Sequence, residues 1–167
     1  AADYLAISAA NSEISQLQVA SASVTGELFD LGAGAVGLAL GAEWRSVKSQ
    51  FLPDFSLASG DVSGFNAGQA TAGRYSVKEV FGELRVPLLA EKPFAERLEL
   101  TGAARYSDYS LDAVGGVFTW AAGAEWAPIR DVTLRGQFQR AIRAPNVDEL
   151  FGGQEQGFPP ANDPCSN

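Results

Sequence analysis

The stretch of the chain with the densest chemistry is FQRAIRAPNVDELF, residues 138–151. It places Arg140 and Arg143 three residues apart and then continues with the acidic pair Asp148 and Glu149. Guanidinium groups bind carboxylates and phosphates, so these residues could form a catalytic cluster. The same letters also fit a structural interpretation, in which a strand ends at the proline and a helix begins at the asparagine. Which interpretation holds, a reactive cluster or the junction of a strand and a helix, depends on the secondary structure around this stretch.

Composition excludes most catalytic and metal chemistry. The chain has no histidine and one cysteine, which excludes Ser-His-Asp triads, Cys-His pairs and zinc clusters within it. We therefore predict no catalytic residue, no resident metal and no cofactor. The net charge of -8 and the pI near 4.5 also argue against nucleic acid as a partner.

Four acidic residues, including Asp148 and Glu149, follow Arg143, the last arginine of the chain. Two interpretations are open: a solvated loop that holds divalent cations, or recognition of a cationic or metal-chelated solute. The spacing does not match a calcium-binding loop. The four residues are Asp148, Glu149, Glu155 and Asp163.

The segment GAGAVG, residues 32–37, matches the G-x-G-x-x-G pattern of dinucleotide sites and has Asp54 about 20 residues further on. That site requires a helix to begin at the third glycine. The following segment, LALGAEWRS, instead alternates with period two and shows no helical stripe. The glycines are therefore predicted to form a tight hairpin turn.

Period-two alternation is the dominant pattern and predicts an all-β fold. In VTLRGQFQ, residues 132–139, one face carries Val, Leu, Gly and Phe, and the other carries Thr, Arg and two Gln. The longest apolar stretch has 12 residues, where a membrane helix needs about 20, but a membrane strand needs only about 9 to 11. The six predicted strands lie in 18–29, 35–45, 76–88, 98–106, 119–126 and 132–139.

The connections between these strands alternate in length. Three are short: 30–34, 89–97 and 127–131. The others are long and rich in Gly, Ser, Asp and Pro: 50–75, 107–118 and the segment after Arg143. Short turns at one end and long loops at the other are typical of an antiparallel up-and-down outer-membrane barrel, with turns in the periplasm and loops outside.

The two faces of the predicted strands differ in charge, as lipid on one side would require. A Lys or Arg facing lipid at mid-bilayer costs roughly 2 to 4 kcal/mol, and charges fall mainly on the opposite parity. With about 3.3 Å per residue and a tilt near 45°, Trp44 and Tyr106 would rise about 20 Å above the turns, at an outer aromatic girdle. Trp126 would lie in the inner girdle. The predicted lumen-facing or plug-facing residues are Glu99, Arg105, Glu125, Arg135, Gln137, Gln139 and, if parity continues, Arg143.

Opposite charges are predicted to approach diagonally across two hairpins, Glu125 with Arg135 and Arg85 with Glu99, if the turns are centred near 129 and 93. These pairs would tie neighbouring strands by less than about 1 kcal/mol each; the alternative is a ladder that binds solute. Arg140 falls on the lipid parity. It is expected either to extend to the headgroup phosphates or to be turned inward by a bulge.

Six strands are fewer than the roughly eight of the smallest single-chain barrels. An open membrane sheet leaves unpaired backbone groups at both edges, each costing several kcal/mol. The chain is therefore expected to be a segment of a larger barrel or to assemble with other chains. The predicted organisation is the end of an extracellular loop in 1–15, six strands in 16–143 and the start of another loop in 144–167.

The run from Arg140 to Phe151, RAIRAPNVDELF, resembles the R-A-x-R-A-P-x-x-x-E-L-F signature of TonB-dependent outer-membrane receptors. Segments 24–45, 105–110 and 118–141 resemble the same family in the same order. The resemblance implies part of a barrel of about 22 strands, filled by a plug, in the outer membrane of a Gram-negative bacterium. It further implies energised import of a scarce solute, such as a siderophore, cobalamin or an oligosaccharide.

The partners implied by this resemblance are outer-membrane lipid and lipopolysaccharide, the plug domain, the TonB complex and the small solute. Cys165 would be half of a loop disulfide, or a free thiol. Two other classes stay open: a passive porin-like or multi-chain membrane barrel, and a soluble β-rich binding module. No enzymatic activity is predicted.

Overall fold

The computed structural model of the chain describes residues 6–152. Glu155, Asp163 and Cys165 lie outside the described residues, so the predictions for the distal acidic residues and for the disulfide stay predictions. Among the residues described, no helix is long and apolar enough to cross a membrane.

The fold is a single six-stranded antiparallel sheet in which each strand pairs with its neighbours along the chain, in the order β1 to β6. The predicted all-β, up-and-down architecture is therefore confirmed. The described residues also form a short helix between β2 and β3 and another after β6. The elements are β1 (Ser12–Asp30), β2 (Ala35–Leu52), α1 (Phe55–Ser59), β3 (Thr71–Lys92), β4 (Ala95–Tyr109), β5 (Gly116–Ile129), β6 (Val132–Arg140) and α2 (Val147–Phe151).

The chain forms two compact units. One comprises 17–47 and 75–144, which contain most of the sheet. The other comprises 1–16, 48–74 and 145–167, of which the structure describes residues 6–16, 48–74 and 145–152.

The register places alternate residues of the sheet on opposite faces, as the sequence predicts. Val80 faces Tyr106, Leu100 faces Ala124, and Gly136 faces Ala124 from the other side. Directly paired residues point to the same side of a sheet. We call this side the apolar face. Its members on β3 to β6 are Val80, Gly82, Leu84, Val86, Leu98, Leu100, Gly102, Ala104, Tyr106, Phe118, Trp120, Ala122, Ala124, Trp126, Leu134, Gly136 and Phe138.

The apolar face is exposed instead of forming a core. Phe138, Val80 and Leu134 are 68%, 56% and 54% exposed. Within residues 6–152 the buried apolar residues are only Val36, Val77, Ala95, Ala127 and Val147. A single sheet with so much uncovered apolar surface requires an apolar environment or partner on that side.

The glycines of GAGAVG form the turn between β1 and β2. Gly32 and Gly34 have positive φ values of 83° and 129°, which glycine adopts without a Cβ clash. The Leu31 amide donates to the Gly34 carbonyl at 3.1 Å, and the Gly32 amide donates to Asp30 Oδ1 at 2.5 Å. The predicted hairpin turn is confirmed, and β2 follows in place of the helix that a dinucleotide site needs.

The turn between β3 and β4 is shorter than the predicted 89–97 connection. Lys92 pairs with Ala95, which leaves a turn at residues 93 and 94. Phe94 adopts a positive φ of 57°, and its carbonyl accepts a 3.0 Å hydrogen bond from the indole N–H of Trp126. A register shift between Pro87 and Leu89 accommodates Leu88 as an extra residue, a bulge that the sequence pattern did not predict.

Several strands continue beyond their predicted ends. β2 extends to Leu52 and β3 begins at Thr71, while β4 and β5 reduce the predicted 107–118 loop to residues 110–115. That connection is therefore shorter than predicted, but it is still longer than the turns at 93–94 and 130–131 on either side, so the predicted alternation of short and long connections persists. These added segments mix polar and apolar side chains without regular alternation, so the sequence pattern does not reveal them.

The second unit is organised by capped helices. Asp54 caps α1 by accepting from the Ser56 amide at 2.8 Å, and its other carboxylate oxygen accepts from the Ala10 amide at 3.1 Å. The Asp54 amide in turn donates to Asn11 Oδ1 at 3.0 Å. These bonds join the start of β1 to the connection between β2 and β3.

The signature stretch ends in a helix, as one of its two interpretations predicts. Asn146 and Glu149 form a reciprocal capping box at the start of α2, with hydrogen bonds of 2.7 and 2.9 Å. The ring of Phe151 lies so close to Gly73 that a Cβ at that glycine would be 2.1 Å from the ring. Glu149 therefore has a structural role in the cap, whatever else it contacts.

Candidate functional site

Nearly all ion pairs of the sheet lie on the face opposite to the apolar face. We call this the polar face. Gly37 and Gly41 of β2 belong to it, since their missing Cβ atoms would touch Arg85 and Phe81. Its charged and amide residues are Glu43, Arg45, Glu79, Glu83, Arg85, Arg97, Glu99, Arg105, Glu125, Arg135, Gln137 and Gln139.

A buried carboxylate stands at the centre of one charge cluster on this face. Glu79 is only 5% exposed, and its Oε1 accepts a 2.6 Å hydrogen bond from the hydroxyl of Ser107. Its Oε2 accepts no well-aligned hydrogen bond, but it lies 3.3 Å from Arg45 Nη2 and 3.5 Å from Arg105 Nη1. Arg45 also pairs with Glu43 at 3.3 Å. We call these five residues the Glu79 cluster, in which two carboxylates balance two guanidinium groups.

An aromatic ring supports the Glu79 cluster. The guanidinium carbon of Arg105 lies 4.9 Å from the centre of the Phe81 ring, a cation–π contact. The tip of the ring lies against Gly41, where an added Cβ would lie 2.3 Å from Cζ. The absence of a side chain at Gly41 thus leaves room for the tip of the Phe81 ring, which contacts Arg105.

A second charge cluster lies nearer the short turns. Glu125 Oε2 accepts a 2.5 Å hydrogen bond from Arg135 Nε, and Glu125 Oε1 pairs with Arg97. Arg85 Nη1 donates to Glu99 Oε2 at 3.1 Å. Both predicted ion pairs are therefore confirmed.

The geometry of one pair differs from the prediction. Arg85 faces Thr101 directly, so its contact with Glu99 is diagonal, as expected for a turn near residue 93. Glu125 and Arg135 are direct cross-strand partners, because β5 runs to Ile129 and the turn lies at residues 130 and 131. The predicted centre near 129 was therefore slightly too early.

Between the two clusters the polar face has a floor of small side chains. One depression of about 390 Å³ is lined by Gly37, Ala39, Thr101, Ala121 and Gly123, with Glu83, Arg85 and Gln137 around it. Another of about 250 Å³ has Ala103, Thr119 and Ala121 in its floor, with Phe81, Arg105 and Gln139 around it. Small residues between hydrogen-bonding side chains give this face room for contact with another polar surface.

Six of the seven residues predicted for the lumen share the polar face: Glu99, Arg105, Glu125, Arg135, Gln137 and Gln139. Arg143 lies beyond Arg140, the last residue of β6, so strand parity does not determine its direction. The structure does not gather these residues into a catalytic arrangement.

The pairing of β5 with β6 also determines on which face of the sheet Arg140 lies. It pairs directly with Trp120, and the ladder runs without a shift from Trp126 to that pair. The alternative in which a bulge turns Arg140 to the polar face is therefore wrong. Arg140 keeps the parity of the apolar face, at the end of its strand.

Sequence reasoning missed the centre of the Glu79 cluster. Glu79 lies in the weakly patterned segment SVKEV, and Arg45 and Ser107 come from two other strands. The available signal was the parity of Glu79, which matches that of Arg85 on the same strand. Only the register between strands reveals that four charges meet there.

The aromatic residues predicted for the girdles lie on the apolar face. Tyr106 pairs with Val80 and Phe118, and Trp126 pairs with Leu98 and Leu134. Trp44 lines one groove together with Val80 and Tyr106. The Trp120 ring contacts the Phe138 ring at 5.4 Å between centroids.

The comparisons with known proteins agree with this two-faced sheet. Residues 4–164 match the family described as TonB dependent receptor-like, beta-barrel. A search of curated proteins and a search of solved structures found no match. Since the family match spans nearly the whole chain and the structure is a six-stranded up-and-down sheet, the chain belongs to the TonB-dependent receptor β-barrel family, whose members are outer-membrane transport receptors.

Proposed function

We propose that this chain is a section of the barrel wall of a receptor that imports a scarce solute across the outer membrane of a Gram-negative bacterium. Energy would arrive through the TonB complex, and the solute would be a siderophore, cobalamin or an oligosaccharide. The polar face would line the lumen and meet the plug domain, and the apolar face would contact lipid and lipopolysaccharide. Residues 6–11, 53–70 and 141–152 would belong to the extracellular loops.

The observation that carries the proposal is the separation of charge between the two faces. From Val80 to Val86 on β3, from Leu98 to Tyr106 on β4, and across the paired parts of β5 and β6, the apolar face carries no charged residue until Arg140. Beyond Val80 and Tyr106, Lys78 and Asp108 face each other on the same side. The polar face of the same strands carries the Glu79 and Glu125 clusters. Charges in hydrocarbon are costly, whereas a water-filled or plugged lumen accommodates them.

The polar face also suits a protein partner of the plug type. The charged residues named for this face are equal in number, five glutamates and five arginines. Its small-residue depressions leave guanidinium and amide groups partly exposed at their borders. Arg105 and Arg85 retain 44% and 54% of their side-chain exposure while paired with glutamates. Such groups can bind a second polar surface through hydrogen bonds without new burial of uncompensated charge.

Orientation is tested in the full-length parent receptor with single cysteines at two adjacent positions, Gln137→Cys and Phe138→Cys, after replacement of Cys165 by serine. With the plug deleted, a membrane-impermeant maleimide should label position 137, which would face the lumen. Position 138 should instead react with a lipid-soluble maleimide. Equal labelling of both positions by the aqueous reagent would contradict the membrane assignment.

Transport is tested by uptake of radiolabelled ferric siderophores, cobalamin and oligosaccharides into cells that carry the parent gene, its deletion, or a tonB deletion. The proposal expects uptake of one solute class that disappears in both deletions. Uptake that depends on the gene but persists without TonB would support the passive porin-like alternative.

A further inference from the structure

Two neighbouring depressions on the polar face present the same set of hydrogen-bonding side chains. The depression of about 250 Å³ is lined by a threonine, an arginine and a glutamine, namely Thr119, Arg105 and Gln139. The depression of about 390 Å³ repeats this set with Thr101, Arg85 and Gln137. The two depressions adjoin, because three residues line both of them: Glu83, Ala103 and Ala121.

The register of the strands produces this repetition. In each set the arginine pairs directly with the threonine on the next strand. The glutamines lie two residues apart on β6, and the side-chain nitrogen of Gln137 lies 3.5 Å from Gln139 Oε1. One row of direct partners crosses four strands: Glu83, Ala103, Ala121 and Gln139. The two alanines in this row leave an open floor between the carboxylate and the amides.

Glu83 differs from the other charged residues named for the polar face, because it forms no ion pair within residues 6–152. Each of the five arginines named for that face is paired with a glutamate. Arg105 pairs with Glu79, and Arg85 pairs with Glu99. The unpaired charge that borders both depressions is therefore a carboxylate.

We propose that the two depressions bind consecutive units of a neutral oligosaccharide, whose hydroxyl groups donate hydrogen bonds to the Glu83 carboxylate. The inference rests on the proposed function, because it requires the polar face to line the lumen, and it selects one of the three solute classes. Sugar hydroxyl groups both donate and accept, and the arginine, threonine and glutamine side chains supply both kinds of partner. A carboxylate is also a stronger acceptor than a neutral oxygen.

The charge and size of the site distinguish this solute from the other two classes. Both arginines are already neutralised by glutamates, and the unpaired Glu83 carboxylate opposes the approach of an anionic metal chelate. The depression of about 250 Å³ is smaller than the roughly 300 to 1,000 Å³ of sites for drug-sized ligands, so it accommodates one ring-sized unit. Two adjoining depressions with the same side chains suit a solute whose units repeat, which cobalamin does not offer.

The site also lies where a solute that arrives from outside would meet it. Ala103 lines both depressions and is eight residues beyond Ala95, where β4 leaves its short turn. With about 3.3 Å per residue and a tilt near 45°, Ala103 would lie about 19 Å above that turn, in a band about 25 Å tall. The depressions would therefore belong to the outer part of the wall.

The test is isothermal titration calorimetry of the full-length parent receptor in detergent. The probes are neutral oligosaccharides from disaccharides to hexasaccharides, their monosaccharides, and an anionic ferric catecholate. An oligosaccharide should bind more tightly than its monosaccharide, because only the oligosaccharide fills both depressions. Glu83→Ala should weaken that binding about tenfold, since a hydrogen bond to a charged group is lost. Glu91→Ala is the matched control and should have no effect, because Glu91 is an exposed glutamate at the short-turn end of the same strand.

A second pair of variants tests the floor. Ala121→Leu places a larger side chain in both depressions and should weaken oligosaccharide binding. Ala122→Leu makes the same change at the next residue, which pairs with Gly102 and Phe138 on the apolar face, and it should have no effect. Each variant is first checked for a folded barrel by its heat-modifiable electrophoretic mobility.

Four outcomes would overturn the inference: no binding of any oligosaccharide, tighter binding of the ferric catecholate than of every oligosaccharide, equal affinities of Glu83→Ala and the native receptor, or equal losses for the two alanine variants. If uptake of a ferric siderophore or cobalamin depends on TonB in these cases, the proposed function stands and this site alone is rejected. If no solute class shows TonB-dependent uptake, the proposed function fails as well.

Discussion

The carboxylate of Glu79 accepts a 2.6 Å hydrogen bond from the hydroxyl of Ser107, the residue directly opposite it on the neighbouring strand. The same carboxylate lies between the guanidinium groups of Arg45 and Arg105. Three consecutive strands, β2, β3 and β4, are thus joined through one buried acid. No other carboxylate in the described part of the sheet is as fully enclosed.

Glu79→Ala should destabilise the barrel, because it removes the only acid within residues 6–152 that pairs with Arg105. Loss of one partner of a buried pair costs about 3 to 5 kcal/mol, but both arginines are partly exposed, so we expect about 1 to 3 kcal/mol. Urea unfolding of the parent receptor, followed by tryptophan fluorescence, measures this change. Glu83→Ala, at an exposed acid of the same face and strand, is the control and should have little effect. Equal losses for the two variants would contradict the role of the Glu79 cluster.

Gly41→Ala should displace the Phe81 ring, because the added Cβ would lie 2.3 Å from Cζ. Overpacking of this kind costs about 1 to 3 kcal/mol. Gly102→Ala is the control, since a Cβ at Gly102 meets nothing within 4 Å. In the double variant Gly41→Ala/Phe81→Ala, the cost of the alanine at 41 should largely disappear. Additive losses in that double-mutant cycle would show that the ring contact is not the cause.

The Glu125–Arg135 pair should contribute little to stability despite its 2.5 Å contact. Arg135 retains 74% of its side-chain exposure, so solvent screens the attraction. A double-mutant cycle with Glu125→Ala and Arg135→Ala should give a coupling free energy of about 0.2 to 1 kcal/mol. A coupling well above this range, measured by urea unfolding, would mean that the pair is shielded from water in the assembled receptor.

The Asp54 contacts should weaken in acid. Hydrogen bonds from the Ala10 and Ser56 amides lower the pKa of Asp54 below its ordinary value of 3.8. The charged carboxylate is therefore favoured in the folded state, and its contribution is complete above pH 3.8 and is lost as pH falls through the lower folded value.

Amide hydrogen exchange is the measurement for this prediction. The Ala10 and Ser56 amides should lose protection in acid in the native receptor more than in Asp54→Asn, compared at each pH. Asparagine does not titrate, so the variant should lack the pH dependence. The same acid response in both proteins would exclude Asp54 as its source.

The parts of the fold that the sequence predicts are those where local chemistry alone is sufficient. Strand parity in 98–106 and 132–139 follows from alternation, because only one face avoids charge. The turn at Gly32 and Gly34 requires positive φ, and the cap at Asn146 satisfies a free backbone donor. Each of these needs no knowledge of a distant partner.

The parts that the sequence does not predict depend on partners from other strands. The bulge at Leu88 shifts the register between β3 and β4, and nothing in the alternation marks it. In β2, the even-numbered positions are apolar near the start of the strand, but near its end they carry Lys48 and Gln50. The alternation of apolar and polar residues therefore ends before the strand does. Glu79 is buried because residues of β2, β3 and β4 meet around it. No short segment of the sequence contains all three strands, so the sequence alone does not reveal this burial.

The strictly sequential pairing of the strands has a kinetic consequence. Because every strand pairs with its predecessor and the turns at 93–94 and 130–131 are short, the β3–β4 and β5–β6 hairpins each close a small loop and lose little chain entropy. A sheet with this low contact order can grow by adding one hairpin after another to an existing edge, in the order of synthesis. In the described part of the sheet, the outer edges of β1 and β6 are the two edges at which such growth continues.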